Sequence, residues 1–377
     1  MGSLRRHANA AFTDAAGVCL AQTMMRMGNR KKAGGWAGVF ARNMQAISRV
    51  ALRTGRKAAT QAVKRAVKPA LERRRPPRGA GEWIAGVALG AAGARRYHLY
   101  RPPDLVAGAH PPLVVMLYGC GQDGKSFATS TRMNTIAARE RFLVLYPEQE
   151  RLANAQGCWN WFQARSGRAQ GEADLLLAAI DQACVLYGAD RERVALCGIS
   201  AGASMAALVG RRHPDRFKAV VMHSGVSPDA ARSSAAALAA MQGRRSPAPL
   251  EAALPQGLSP AAPLPPLLVI QGDLDRVVVP SNARAAVLAW VHAGDAGDHA
   301  VLREMPGRRV QRGKRHAMRV VDFRRRGRTV ATLVEVEGLG HAWSGGAAGQ
   351  PFSDASGPDA SRMAWAFAAK QFAPAQR

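Results

Sequence analysis

Val194-Ala195-Leu196-Cys197-Gly198-Ile199-Ser200-Ala201-Gly202-Ala203-Ser204-Met205 is a short apolar run that breaks into Gly-Xaa-Ser-Xaa-Gly and continues as an alanine-rich, helix-favouring segment. The order predicts strand, sharp turn, helix. A serine on such a turn has a strained backbone and close neighbours on both sides, so the flanking positions must lack side chains. Gly198 and Gly202 meet that requirement. The following helix aims unpaired amides and the positive end of its dipole at Ser200, where an oxyanion would develop. Ser200 is therefore the candidate nucleophile.

Working outward, Leu113 to Tyr118, Phe142 to Pro147, Phe217 to Met222 and Leu267 to Ile270 are further apolar runs of strand length. Helix-like segments near Met133 to Arg139, Ala173 to Leu186 and Ala203 to Arg211 lie between them. Apolar strands alternating with helices imply a parallel sheet covered on both faces. Such sheets place chemistry outside the carboxyl ends of their strands, where Ser200 falls. Arg95 to Tyr100 reads as an early edge strand, Met318 to Phe323 with Thr329 to Val336 as a hairpin or adjacent strands, and Asp359 to Gln371 as a closing helix with Pro358 near its start. Residues 228–266, rich in Ala, Pro, Ser and Gly, read as a loop-rich insertion with one helix around Ala235 to Met241.

A serine hydroxyl needs an imidazole to take its proton, and the imidazole needs a carboxylate to fix its tautomer. His341 follows the last strand in a glycine-rich loop and is the preferred base, with His223 as second choice. The carboxylate is expected after Leu267 to Ile270: Asp275 is preferred, and Asp273 is read as a turn residue capping its own backbone. The order Ser200, Asp275, His341 is that of α/β-hydrolases. The backbone amides of Ala201 and of Cys120, in the loop after Leu113 to Tyr118, are expected to form the oxyanion hole. No metal or cofactor is called for, since no Cys, His or carboxylate cluster has ligand spacing and there is no phosphate-binding glycine loop.

The 377 residues carry a formal charge of +27, concentrated at the start: residues 1–80 contain 18 Lys and Arg against Asp14 and Glu72. Residues 1–81 are expected to be a basic extension and linker, with a basic amphipathic helix drawn over 43–71, and residues 82–377 the catalytic domain. Such an extension fits an anionic membrane or granule surface, or nucleic acid through phosphate charge alone without sequence-specific binding; a solvated, partly disordered tail is the plain alternative. Thr13 and Asp14 interrupt what would be a secretory leader, and no stretch is long and apolar enough to span a membrane. Five cysteines without a Cys-Xaa-Xaa-Cys pair exclude a disulfide scaffold or zinc module and leave the redox compartment open.

Leu117-Tyr118-Gly119-Cys120-Gly121-Gln122, Tyr146-Pro147-Glu148-Gln149, Cys158-Trp159-Asn160-Trp161-Phe162, the Ser200 pentapeptide and Gly338-Leu339-Gly340-His341-Ala342-Trp343 together resemble the poly(3-hydroxybutyrate) depolymerase family of esterases, which is related to feruloyl and acetylxylan esterases. The resemblance runs from about Glu82 to Phe372. It implies an α/β-hydrolase fold, a Ser200, Asp275, His341 triad, and ester hydrolysis through an acyl-enzyme. It also implies that Cys120 and Cys158 can pair as a disulfide beside the active site, which would suit an exported protein. Tyr118 stands where the family usually has His, and Gln271 where His commonly precedes Gly-Asp. Trp159, Trp161 and Trp343, with Phe162, are expected to contact an ester substrate, the alternative being that they pack the core.

Overall fold

Two antiparallel strands begin the described chain. β1 (Glu82–Gly90) and β2 (Gly93–Arg101) pair from Glu82 opposite Arg101 to Gly90 opposite Gly93. The computed structural model describes residue 77 and residues 80–106, 108–244, 263–294 and 300–373. The basic extension with its expected helix over 43–71 lies outside these residues, as does the middle of the 228–266 insertion.

After the hairpin come β3 (Leu113–Leu117), α1 (Gly124–Thr131), α2 (Met133–Glu140), β4 (Leu143–Pro147), α3 (Arg168–Tyr187), β5 (Val194–Ile199), α4 (Ala201–Arg212), β6 (Ala219–His223), α5 (Ser234–Met241), β7 (Leu267–Gly272) and α6 (Ser281–Ala293). The chain ends with β8 (Arg303–Glu304), β9 (Arg308–Val310), β10 (Met318–Arg325), β11 (Arg328–Val336), the short β12 (Trp343–Ser344) and β13 (Ser353–Asp354), and α7 (Ala360–Phe372). The main sheet has the order β1-β2-β4-β3-β5-β6-β7-β11-β10-β8, with β9 also on β10. From β4 to β11 the strands are parallel, and the hairpins β1–β2 and β10–β11 close the two sides antiparallel. Every residue of β3, β4, β5, β6 and β7 is buried, as helices on both faces of a parallel sheet require.

One local reading changes. Arg95 to Tyr100 is not an edge strand, because β1 covers it. β1 reads poorly in sequence: four of the nine residues of Glu-Trp-Ile-Ala-Gly-Val-Ala-Leu-Gly are Ala or Gly, and one of the nine is buried. Helix α1 is set by a reciprocal cap, with Asp123 Oδ1 accepting from the Ser126 amide (2.7 Å) and Ser126 Oγ accepting from the Asp123 amide (3.0 Å). Helix α7 starts on the side chain of Asp359, which accepts from the Arg362 amide.

The chain leaves β3 for β4 on one side and returns to β5 on the other. This is the topological switch at which open α/β sheets form their crevice. Leu117 stands opposite Gly198, so the loops bearing Cys120 and Ser200 emerge side by side. Val336 stands level with Gly272, so the loops bearing His341 and Asp275 also emerge together.

Candidate active site

Ser200 joins β5 to α4 with φ 56° and ψ −123°, a backbone conformation that costs a non-glycine residue roughly 1–3 kcal/mol. The surroundings enforce it. A Cβ on Gly202 would run into the carbonyls of Leu117 and Tyr118, and one on Gly198 into the backbone of Gly202 and Ala203. The Ser200 amide donates to the His223 carbonyl at 2.9 Å, and the Ser200 carbonyl accepts from the Ser204 amide. With both backbone groups held, the side chain has a defined seat at the N-terminus of α4.

Asp275 and His341 are in direct contact. His341 Nδ1 lies 2.8 Å from Asp275 Oδ2, and both side chains are sheltered from water. Gln271 Nε2 also donates to Oδ2 (3.1 Å), while Oδ1 accepts from the amides of Val277 and Val278, each at 2.9 Å. Burial alone would raise the Asp275 pKa, but the His341 ring and these amides outweigh it and hold the carboxyl below its ordinary value. Asp273 does not cap its own turn. Its Oδ1 accepts from the Gly338 amide at 2.7 Å, and the Leu274 amide donates to the Leu339 carbonyl, so the aspartate loop is laced to the histidine loop.

His223, the alternative base, is fully buried at the end of β6. Its Nε2 accepts from the Ser344 amide at 3.1 Å, its Nδ1 lies 3.1 Å from Ser224 Oγ, and its ring stacks on Trp343. With Nε2 filled, Nδ1 carries the proton and donates to Ser224. Burial, with the His341 ring as the next contributor, pushes its pKa down to about 3. One residue thus holds the Ser200 amide through its carbonyl and the strand after His341 through its ring.

In the loop after β3, Gln122 Oε1 accepts from the Gly119 amide, and the Gly121 amide donates to the Gln156 carbonyl. Among the described residues the amide of Cys120 has no such partner, nor has that of Ala201, whose place at the helix start leaves it without an intrahelical acceptor. Cys120 and Cys158 are joined by a disulfide, which ties this loop to the segment before α3. Beneath it lies a buried polar network that sequence reading missed. Tyr118 Oη donates to Glu148 Oε2 and accepts from the Gln149 amide. Arg95 donates to Gln149, and Glu172 accepts from Gln149 Nε2 and from the Asn160 amide. Tyr118, standing where a histidine was expected, is a structural anchor for the loop.

The three tryptophans expected at the substrate lie buried in the core. Trp159 and Trp343 are completely buried; their indole N–H groups donate to the Tyr118 carbonyl and to Ser361 Oγ. Trp161 is 4% exposed and packs edge-on against Phe162. All three brace the loops that carry the site. Among the described residues no group of three or more His, Cys, Asp or Glu is placed to hold a metal, and no helix is long and apolar enough to cross a membrane.

A serine on a strained strand-to-helix turn beside the switch point of a mostly parallel, doubly covered sheet defines the α/β-hydrolase fold. The chain belongs to the Esterase PHB depolymerase family, whose profile matches residues 95–296, a stretch that includes Ser200 and Asp275 and stops short of His341. It is 30% identical over 183 residues to poly(3-hydroxyalkanoate) depolymerase C of Paucimonas lemoignei, covering 48% of this chain and 44% of that protein. It is 29% identical over 134 residues to feruloyl esterase B of Neurospora crassa, covering 35% and 44%. The chain thus spans less than half the length of these relatives. Among solved structures, the acetyl xylan esterase from Aspergillus awamori shares the fold, with a TM-score of 0.52, 18% identity, and coverage of 69% of this chain and 94% of that one.

Proposed function

We propose that the chain is a serine esterase that cleaves carboxylic esters through Ser200, His341 and Asp275, with hydroxyalkanoate esters of the polyhydroxybutyrate type as its substrates. The observation that carries the reading is the 2.8 Å pairing of His341 with Asp275 at the sheet edge that also bears Ser200. With Nδ1–H donated to an ionised Asp275, the imidazole presents Nε2 as the proton acceptor for the serine hydroxyl. Serine oxygen attacks the ester carbonyl, and charge gathers on the carbonyl oxygen facing the amides of Cys120 and Ala201. The imidazolium returns its proton to the departing alcohol, leaving the acyl group on Ser200. Water, deprotonated by the same imidazole, then releases the acid and restores the serine.

The depolymerase relative supports the hydroxyalkanoate substrate class. A second reading, hydrolysis of carbohydrate-linked acetyl or feruloyl esters, has the feruloyl and acetylxylan esterase relatives behind it. Turnover of p-nitrophenyl butyrate is expected, with kcat reduced by about 10³-fold or more in Ser200→Ala. Undiminished activity in that variant rejects the mechanism. Parallel assays on 3-hydroxybutyrate oligomers, acetylated xylan and a feruloyl ester choose between the two substrate classes.

A further inference from the structure

Residues 308–316, Arg-Arg-Val-Gln-Arg-Gly-Lys-Arg-His, hold five Lys and Arg and no acid. They form β9 and the turn into β10, and the register places that turn at a specific edge. Met318 stands opposite both Val310 and Val336, and Val336 stands level with Gly272. The hairpin tip therefore projects from the sheet edge that carries Asp275 and His341. Direct contacts fix it to the histidine loop: the Glu337 amide donates to the Ala317 carbonyl, and a Cβ built on Gly338 lies 3.3 Å from the His316 ring. The far side is tied down as well, since the His316 amide donates to the Ser356 carbonyl and Arg315 Nη1 to that of Gly357.

Charge on this hairpin is compensated selectively. Arg308 pairs with Asp322, Arg309 with Glu337, and on β10 Arg319 pairs with Glu335. Arg312 and Lys314, at the tip, are exposed and have no carboxylate partner among the described residues. Arg276, directly after Asp275, is likewise exposed without one. The body of the hairpin is thus neutralised in place, while the two cations at its tip are left for something else. A surface of one sign beside a cleft concentrates ligands of the opposite sign, and a guanidinium matches a carboxylate in a two-bond fork.

We propose that Arg312 and Lys314 form a carboxylate-binding subsite beside the candidate active site, and that the ester substrate is itself an anion. This rests on the esterase reading and narrows it. A linear hydroxyacid oligomer has internal ester bonds and ends in a free carboxylate, so one molecule supplies the bond to be cut and the group to be held. Neutral acetyl and feruloyl esters of a polysaccharide lack that handle.

The test compares a 3-hydroxybutyrate trimer as its free acid with the same trimer as its methyl ester, following internal ester cleavage chromatographically with full-length protein. The readout is the ratio of the two kcat/KM values within one preparation, so any loss of folded protein cancels. At low ionic strength a ratio of about 10 in favour of the acid is expected, falling towards one as salt approaches about 0.5 M. In the double variant Arg312→Glu, Lys314→Glu the ratio is expected to fall to one or below. An acid-to-ester ratio of one in the unaltered protein, or one that the double variant leaves unchanged, overturns the subsite while leaving the esterase intact. Absence of turnover of both trimers and of p-nitrophenyl butyrate defeats the esterase reading and the subsite with it.

Discussion

His341 Nδ1 stands 2.8 Å from Asp275 Oδ2, a contact that closes across 66 residues of chain. Two loops make it possible, each leaving the sheet at the same level, and three further donors hold the carboxylate still. Gln271 Nε2 fixes one oxygen while the amides of Val277 and Val278 fix the other. The imidazole therefore meets an acceptor whose position is already determined.

Replacing Asp275 by Asn tests that arrangement. If the amide oxygen stays on the Val277 and Val278 amides, which cannot turn, the amide nitrogen takes the place of Oδ2 and faces His341 Nδ1–H and Gln271 Nε2, both donors. The imidazole is expected to turn to the wrong tautomer, lowering kcat for p-nitrophenyl butyrate by about 10⁴-fold with KM little changed. A variant retaining most of its kcat removes Asp275 from the mechanism.

Gly202→Ala is expected to cost at least about 3 kcal/mol of stability, because the added Cβ runs into the carbonyls of Leu117 and Tyr118 and neither backbone can retreat from the sheet. Gly340→Ala is the control, since a Cβ there meets nothing within 4 Å. Urea denaturation should separate the two sharply. Equal midpoints contradict the close strand-to-helix approach on which the serine turn depends.

The disulfide between Cys120 and Cys158 spans 38 residues. Changing both cysteines to serine is expected to lower stability by roughly 2–4 kcal/mol and to reduce kcat more than it raises KM, because the loop bearing the Cys120 amide loses a tether. Thermal melting and steady-state kinetics, with and without dithiothreitol on the unaltered protein, measure both effects. A dithiothreitol-insensitive melting temperature speaks against a stabilising bridge.

His223 makes a pH prediction whose sign follows from burial. The folded protein keeps it uncharged down to about pH 3, whereas in the unfolded chain it titrates near its ordinary value of about 6.5. Between these limits the unfolded state binds the extra proton, so stability is full above about pH 6.5 and declines below it by up to roughly 1.4 kcal/mol per pH unit. Asp275, with its lowered pKa, contributes stability above the ordinary carboxylate range that is lost as pH falls through its folded value. Its effect therefore begins at lower pH. In His223→Gln, where the amide oxygen can still accept from Ser344, the decline between pH 6.5 and 4.5 is expected to flatten. His213, also shifted down by burial, remains in both proteins and leaves a residual slope. Urea midpoints at several pH values decide it, and parallel curves for the two proteins exclude His223 as the source.

Sequence alone determined the strand, turn and helix around Ser200, the alternation that makes a parallel sheet, and the order in which Ser200, Asp275 and His341 follow one another along the chain. These are short-range properties: an apolar run, two glycines around a serine, and a polar loop after a strand each declare themselves within about ten residues. Tertiary structure decided what lies between distant segments. It put β1 outside β2, and it sent Trp159, Trp161 and Trp343 into the core, because an indole's place depends on which neighbours cover it. It laced Asp273 to Gly338 and gave His223 its double hold on the Ser200 amide and on Ser344. Only strand register brought the basic hairpin to the same edge as His341, since hydrogen bonding between strands far apart in the chain leaves no periodic trace in either one.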